Sequence, residues 1–180
     1  MSIDAATIEK MRLTYWELFN SNDPFAEVFT DKLSNRMILC PTDGYFLTEE
    51  QYMALLKTMK SLDEVSFFIS EVEGESDFFN SPSHWRICVE TSYEEYCQLP
   101  VCLENAIYSE SGLWGLIISH EEHALFGGNQ NAIRLFKDNL PNWEHGIAQF
   151  TRKWEYNQKE YGSKVDWIPR LMSHIQQNHA

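Results

Sequence analysis

The sequence predicts an α+β fold, a mainly antiparallel sheet of about five or six strands covered by helices. Three observations predict it. Six short apolar or alternating stretches read as strands, within residues 36–40, 65–73, 84–90, 103–109, 113–119 and 123–127. Tight turns join several of them, which antiparallel neighbours allow and parallel ones do not. Finally, 180 residues are enough for one sizeable core and short for two, so residues 1–180 read as a single domain with a helical C-terminal region.

Taken in order, residues 4–20 form the first expected helix. Asp4 can cap it, and Ile8, Met11, Tyr15 and Leu18 share one face. Asp23-Pro24 starts a second, short helix, with Phe25, Val28, Phe29 and Leu33 on its inner side. A strand at 36–40 leads to the turn Pro41-Thr42-Asp43-Gly44. Thr48-Glu49-Glu50-Gln51 is a capping box, opening a helix whose buried stripe is Tyr52, Leu55, Leu56 and Met59. In 65–73, Val65, Phe67 and Ile69 alternate with Ser66, Phe68 and Ser70; in 84–90, Trp85, Ile87 and Val89 alternate with Arg86, Cys88 and Glu90.

The centre of the chain is residues 105–140. Leu113-Trp114-Gly115-Leu116-Ile117-Ile118 is its longest unbroken apolar run and fits a strand buried on both faces. Burying it contributes on the order of 10 kcal/mol gross, at roughly 2 kcal/mol per large side chain. Glu110-Ser111-Gly112 turns the chain before it, and His120-Glu121-Glu122-His123 turns it after. Gly127-Gly128 would then let the backbone swing into a helix capped by Asn129 or Asn131, with Ile133, Phe136 and Leu140 inward. The remainder is helical. Trp143, Ile147, Phe150, Trp154 and Tyr161 make one apolar stripe, weakened by Gly146 and ended at Gly162. A last helix near 166–177 has Pro169 in its first turn and buries Ile168, Leu171, Met172 and Ile175. The helices are expected chiefly on one side of the sheet.

Charge is the most informative property for function. The net charge is −13. Residues 61–123 hold 13 acidic residues against one base, Arg86, whereas residues 124–180 hold 5 acids and 7 bases. A field of that sign repels nucleic acid and anionic membrane, and attracts cationic surfaces. The acids are expected on the sheet face or rim that the helices leave open. There, Glu75, Asp77, Glu94 and Glu95 would form an acidic rim around aromatic anchors Phe78, Phe79, Tyr93 and Tyr96, the arrangement a binding hot spot uses.

Reactive chemistry has one candidate. His120 and His123 could chelate a metal across the turn, but the spacing is not H-E-x-x-H. A zinc site also needs a third ligand, for which His84 or Cys88 are the available guesses. No nucleophile elbow, Walker loop or dinucleotide fingerprint is present, so no cofactor is expected. The four cysteines, without a C-x-x-C pair, read as reduced thiols, with Cys40 and Cys88 in apolar surroundings. With neither a signal-peptide pattern nor a ~20-residue apolar span, the expected compartment is the cytoplasm.

The run Trp114 to Ser119, the turn His120 to His123, then Ala124-Leu125-Phe126-Gly127-Gly128 and a helix with Phe136 resembles the small immunity proteins of bacterial toxin systems. The resemblance covers about residues 105–140. It implies a cytoplasmic, non-enzymatic binder of a partner protein, and carries no catalytic or contact residue across. The leading expectation is therefore an acidic binding protein that neutralises a basic partner. The alternatives are a metal protein or hydrolase using His120 and His123, and a homodimeric structural protein.

Overall fold

The computed structural model describes residues 3–74 and 77–177. Six strands form one sheet: β1 (Asn35–Leu39), β2 (Ser66–Glu71), β3 (His84–Cys88), β4 (Asn105–Ser109), β5 (Trp114–Ile118) and β6 (Ala124–Gly128), in the order β1-β6-β5-β4-β2-β3. Every neighbouring pair is antiparallel. All six strands lie where the alternating and apolar stretches place them.

The helices are α1 (Ala5–Leu18), α2 (Glu49–Ser61), α3 (Tyr93–Cys97), α4 (Gln130–Asn139), α5 (His145–Tyr161) and α6 (Ile168–Gln176). Their ends are built from the sequence signals. The Asp4 side chain accepts from Thr7 N–H, and Asn129 accepts from Ala132 N–H. Both halves of the Thr48–Gln51 capping box are made. Gly162 ends α5 in the left-handed conformation.

Helices cover both faces of the sheet, which corrects the expected one-sided arrangement. On one face, α2, α3 and α4 pack over Met37, Phe67, Ile107, Leu116 and Phe126; on the other, α1, α5 and α6 pack over Ile38, Phe68, Tyr108, Ile117 and Leu125. The reason is in the strands themselves. β4, β5 and β6 are buried at every residue, so two apolar faces each need a cover. No open sheet face remains for the acids to gather on, among the described residues.

Three local expectations also change. Residues 20–33 contain no helix: Phe19 and Phe29 form a β-bridge, and the Asp23 carboxylate accepts from Phe25 N–H in a single turn. That bridge, with Asn20 N–H on the Val28 carbonyl, holds the backbone extended where a helix would coil it. Gly127 and Gly128 lie within β6 and are not a corner. A Cβ on Gly127 would sit 3.0 Å from the Phe29 ring, so the residue is small to admit that ring. Tyr161 stands exposed and meets Tyr156 with ring centroids 5.9 Å apart, while Phe150 and Trp154 carry the buried stripe.

Candidate protein-binding surface

The acidic segment runs from the end of β2, along β3 and into α3. Between 73 and 95 it carries Glu73, Glu75, Asp77, Glu90, Glu94 and Glu95 against the single base Arg86. Glu75 lies outside the described residues. Glu73, Asp77, Glu90, Glu94 and Glu95 are all exposed. Arg86 does not neutralise them, because its guanidinium donates to Glu110 at 2.6 and 3.2 Å. Glu110 also accepts from Lys10 at 2.8 Å and from Ser66, which together hold its carboxyl below the ordinary range against the opposing effect of burial. Glu90 pairs with Lys60 at 3.1 Å, an exposed contact of small energetic weight.

The aromatic anchors expected within this rim belong to the interior. Phe78 and Phe79 are each only 7% exposed, which corrects their expected role. They sit in a short 3₁₀ turn and pack edge-on against Tyr15, at 5.1 and 5.7 Å, while Phe79 stacks on His84 at 4.8 Å. Tyr96 is also buried: its ring stacks on Tyr52 at 4.4 Å and its hydroxyl accepts from Leu47 N–H at 3.1 Å. Burial raises the Tyr96 and Tyr93 phenols well above their usual range. Tyr93 is half-buried and donates to the Leu47 carbonyl at 3.0 Å, so only its flank faces solvent. Two adjacent phenylalanines in a polar loop read equally well as an anchor or as a plug, and α1 on this face decides for the plug.

Of the expected acids, Glu94 and Asp77 are available to a partner. Glu95 has a local duty as well: it closes a capping box with Ser92, accepting from Ser92 N–H at 2.9 Å, and that hydrogen bond lowers its pKa. The Ser92-x-x-Glu95 spacing is the signal by which α3 could have been found.

The histidine pair is divided. His123 is fully buried; its Nε2–H donates to the Pro24 carbonyl at 3.0 Å, and its ring meets Phe25 and Phe150 edge-on. Burial pushes its pKa down to about 4. His120 is half-exposed and contacts Glu104 at 2.6 Å, while burial raises the Glu104 carboxyl. His84 lies on β3, three strands from the β5–β6 turn, with its Nε2 on the Phe78 carbonyl at 3.2 Å. Among the described residues, no three His, Cys, Asp or Glu side chains are grouped to hold a metal ion. The expected chelate at His120 and His123 is thus not assembled. Cys40 is buried, whereas Cys88, Cys97 and Cys102 are exposed, so the apolar surroundings expected for Cys88 are absent.

Sequence reasoning missed where the sheet ends. β3 is an edge strand, and the acidic segment runs into and out of it. A cleft of about 270 Å³ lies beside the end of β1, with Cys40, Glu50, Gln51, His145 and Gln149 in its walls. No helix of the described residues is long and apolar enough to cross a membrane. Compared with known proteins, the chain matches no family model, and neither curated sequences nor solved structures give a significant match.

Proposed function

We propose that this chain is a non-enzymatic binding protein that engages a basic protein partner through the acidic surface at residues 73–95, as an immunity or antitoxin-like protein does. One observation carries the reading: the segment 73–95 exposes five carboxylates, one of them paired with Lys60, while its one base is bound to Glu110. Such a surface accelerates encounter with a cationic partner and disfavours nucleic acid and anionic membrane. Because Phe78, Phe79 and Tyr96 serve the core, charge carries more of the recognition than a dry aromatic centre would. The three exposed thiols fit a reducing compartment, and so the cytoplasm.

The test is affinity capture at low and then high salt, followed by association kinetics with the captured protein. The expected partner is basic, and its association rate falls steeply with salt. Asp77→Lys combined with Glu94→Lys slows it by about tenfold or more, as rim charges act on the on-rate. A partner indifferent to salt and to both changes overturns the reading. Glu95→Lys is a poor probe, because it also breaks the α3 cap.

A further inference from the structure

The free edge of β3 is a second feature of the same surface. In the antiparallel ladder with β2, the bonds Val89 N–H to the Val65 carbonyl and Glu71 N–H to the Ser83 carbonyl place residues 83, 85, 87 and 89 toward β2. Residues 84, 86 and 88 therefore turn their backbone outward. The His84 N–H is taken by Pro82 and the Cys88 carbonyl by Thr91. Four groups remain without a partner among the described residues: the His84 carbonyl, the Arg86 N–H and carbonyl, and the Cys88 N–H. They form one row, the unit that pairs with an added strand.

Natural sheets block such an edge with proline, a bulge or an outward lysine. Residues 84–88 contain no proline or lysine, and their register with β2 runs without a bulge. The one charge on the strand is drawn back over the sheet, since Arg86 reaches across β2 to Glu110 at the end of β4.

We propose that the free edge of β3 accepts an extended, basic segment of the partner as a seventh strand. This rests on the acidic-surface reading above and names how that surface is used. Charge complementarity selects the occupant. The chain leading into β3 carries the exposed Glu73 and Asp77, and the chain leaving it carries the exposed Glu90, Glu94 and Glu95, so lysine or arginine residues of an added strand meet carboxylates toward either end. A second copy of this chain is the poorer occupant. Antiparallel self-pairing would set Arg86 against Arg86 and bring two acidic borders together, and like charges placed opposite oppose pairing.

The test uses the whole chain and two synthetic peptides of about eight residues, each alternating lysine and valine, one of them N-methylated at every amide so that it keeps its charge but donates no backbone hydrogen bond along either edge. Binding is followed by NMR, with hydrogen exchange read at the Arg86 and Cys88 amides. The expected result is binding of the unmodified peptide with about tenfold slower exchange at both amides, and at least about tenfold weaker binding of the methylated one. Arg86→Pro, which removes an outward N–H, abolishes the added protection at Cys88, whereas Arg86→Ala keeps it. If Arg86→Pro does not fold, the methylated peptide decides alone. Equal binding of both peptides without protection overturns strand addition and leaves the acidic-surface reading standing. Binding of neither at low salt overturns both.

Discussion

The two edges of the sheet are treated differently. At β1 the edge is sealed: α5 and α6 lie along it, and α5 comes so close at Gly146 that a Cβ there would stand 2.2 Å from the Ile38 carbonyl oxygen. The buried Arg36 guanidinium reinforces the seal by donating to the Thr30, Leu33 and His174 carbonyls. At β3, where Phe79 covers only His84, no helix of the described residues runs along residues 85–88 in this way, and Arg86 and Cys88 are exposed. One protein thus shows both solutions to the hazard of a strand edge. Helices close the basic C-terminal side, and exposed carboxylates before and after the strand flank the other. Where an edge is covered, the cover requires a specific small residue. Where it is left open, only charge restricts what binds.

Four changes test that contrast. The largest effect is expected from Phe79→Ala, which empties a space beside Tyr15 and His84 on the β3 side. It should cost about 4 kcal/mol in chemical denaturation, as for a buried phenylalanine. A loss under about 1 kcal/mol would return Phe79 to the surface as a binding anchor. Next is Gly146→Ala, which forces α5 off the β1 edge. The expected cost is about 3 kcal/mol, with faster exchange of the amides of β1, because the obstacle is backbone and cannot rotate away. If stability is unchanged, the seal at β1 is looser than the geometry requires.

The third effect is acid sensitivity on the sealed side, where His123 lies beneath Phe150 of α5. Its folded pKa of about 4 lies below the ordinary value of 6.5, so the unfolded chain takes up the proton first. The stability from the neutral ring is complete above pH 6.5 and is lost as the pH falls from 6.5 toward 4. The loss approaches about 3 kcal/mol. Urea denaturation across that range should show a slope that His123→Gln flattens; equal slopes would remove His123 as its source. The smallest effect is Arg86→Ala on the open side. Its ion pair with Glu110 is half-exposed, and Lys10 remains, so stability should change by less than about 1 kcal/mol.

The strands were legible because burial writes a local pattern. Phe67 and Ile69 set against Ser66 and Ser70, or the run from Leu113 to Ile118, mark strands without knowledge of their neighbours. The helix signals at Asp4, Thr48, Asn129 and Gly162 are local as well. Strand order is not local. That β1 pairs with β6 and β3 ends the sheet depends on contacts between residues about 90 positions apart, and no periodicity reports them. The candidate site suffered most from this. Phe68 already stood as an apolar residue on the second face of its strand, a hint of two helical layers, yet only the seated α1 shows why Phe78 and Phe79 turn inward. The histidines differ for a related reason, since of two residues three apart in a turn one can be buried and the other exposed.

The pairing of β1 with β6 has a consequence for the order in which the molecule is completed. β1 ends at Leu39, but its partner strand begins only at Ala124, and the covering helices start at His145 and Ile168. During synthesis from the N-terminus, β1 stays without a neighbour until Ala124–Gly128 have left the ribosome. The four strands β3-β2-β4-β5, neighbours in that order, can assemble earlier from nearer segments. The nascent protein therefore passes through a stage with both sides of its sheet unfinished. Residues that emerge after all six strands, including His174 with its carbonyl for Arg36, close the one edge that the mature protein keeps shut.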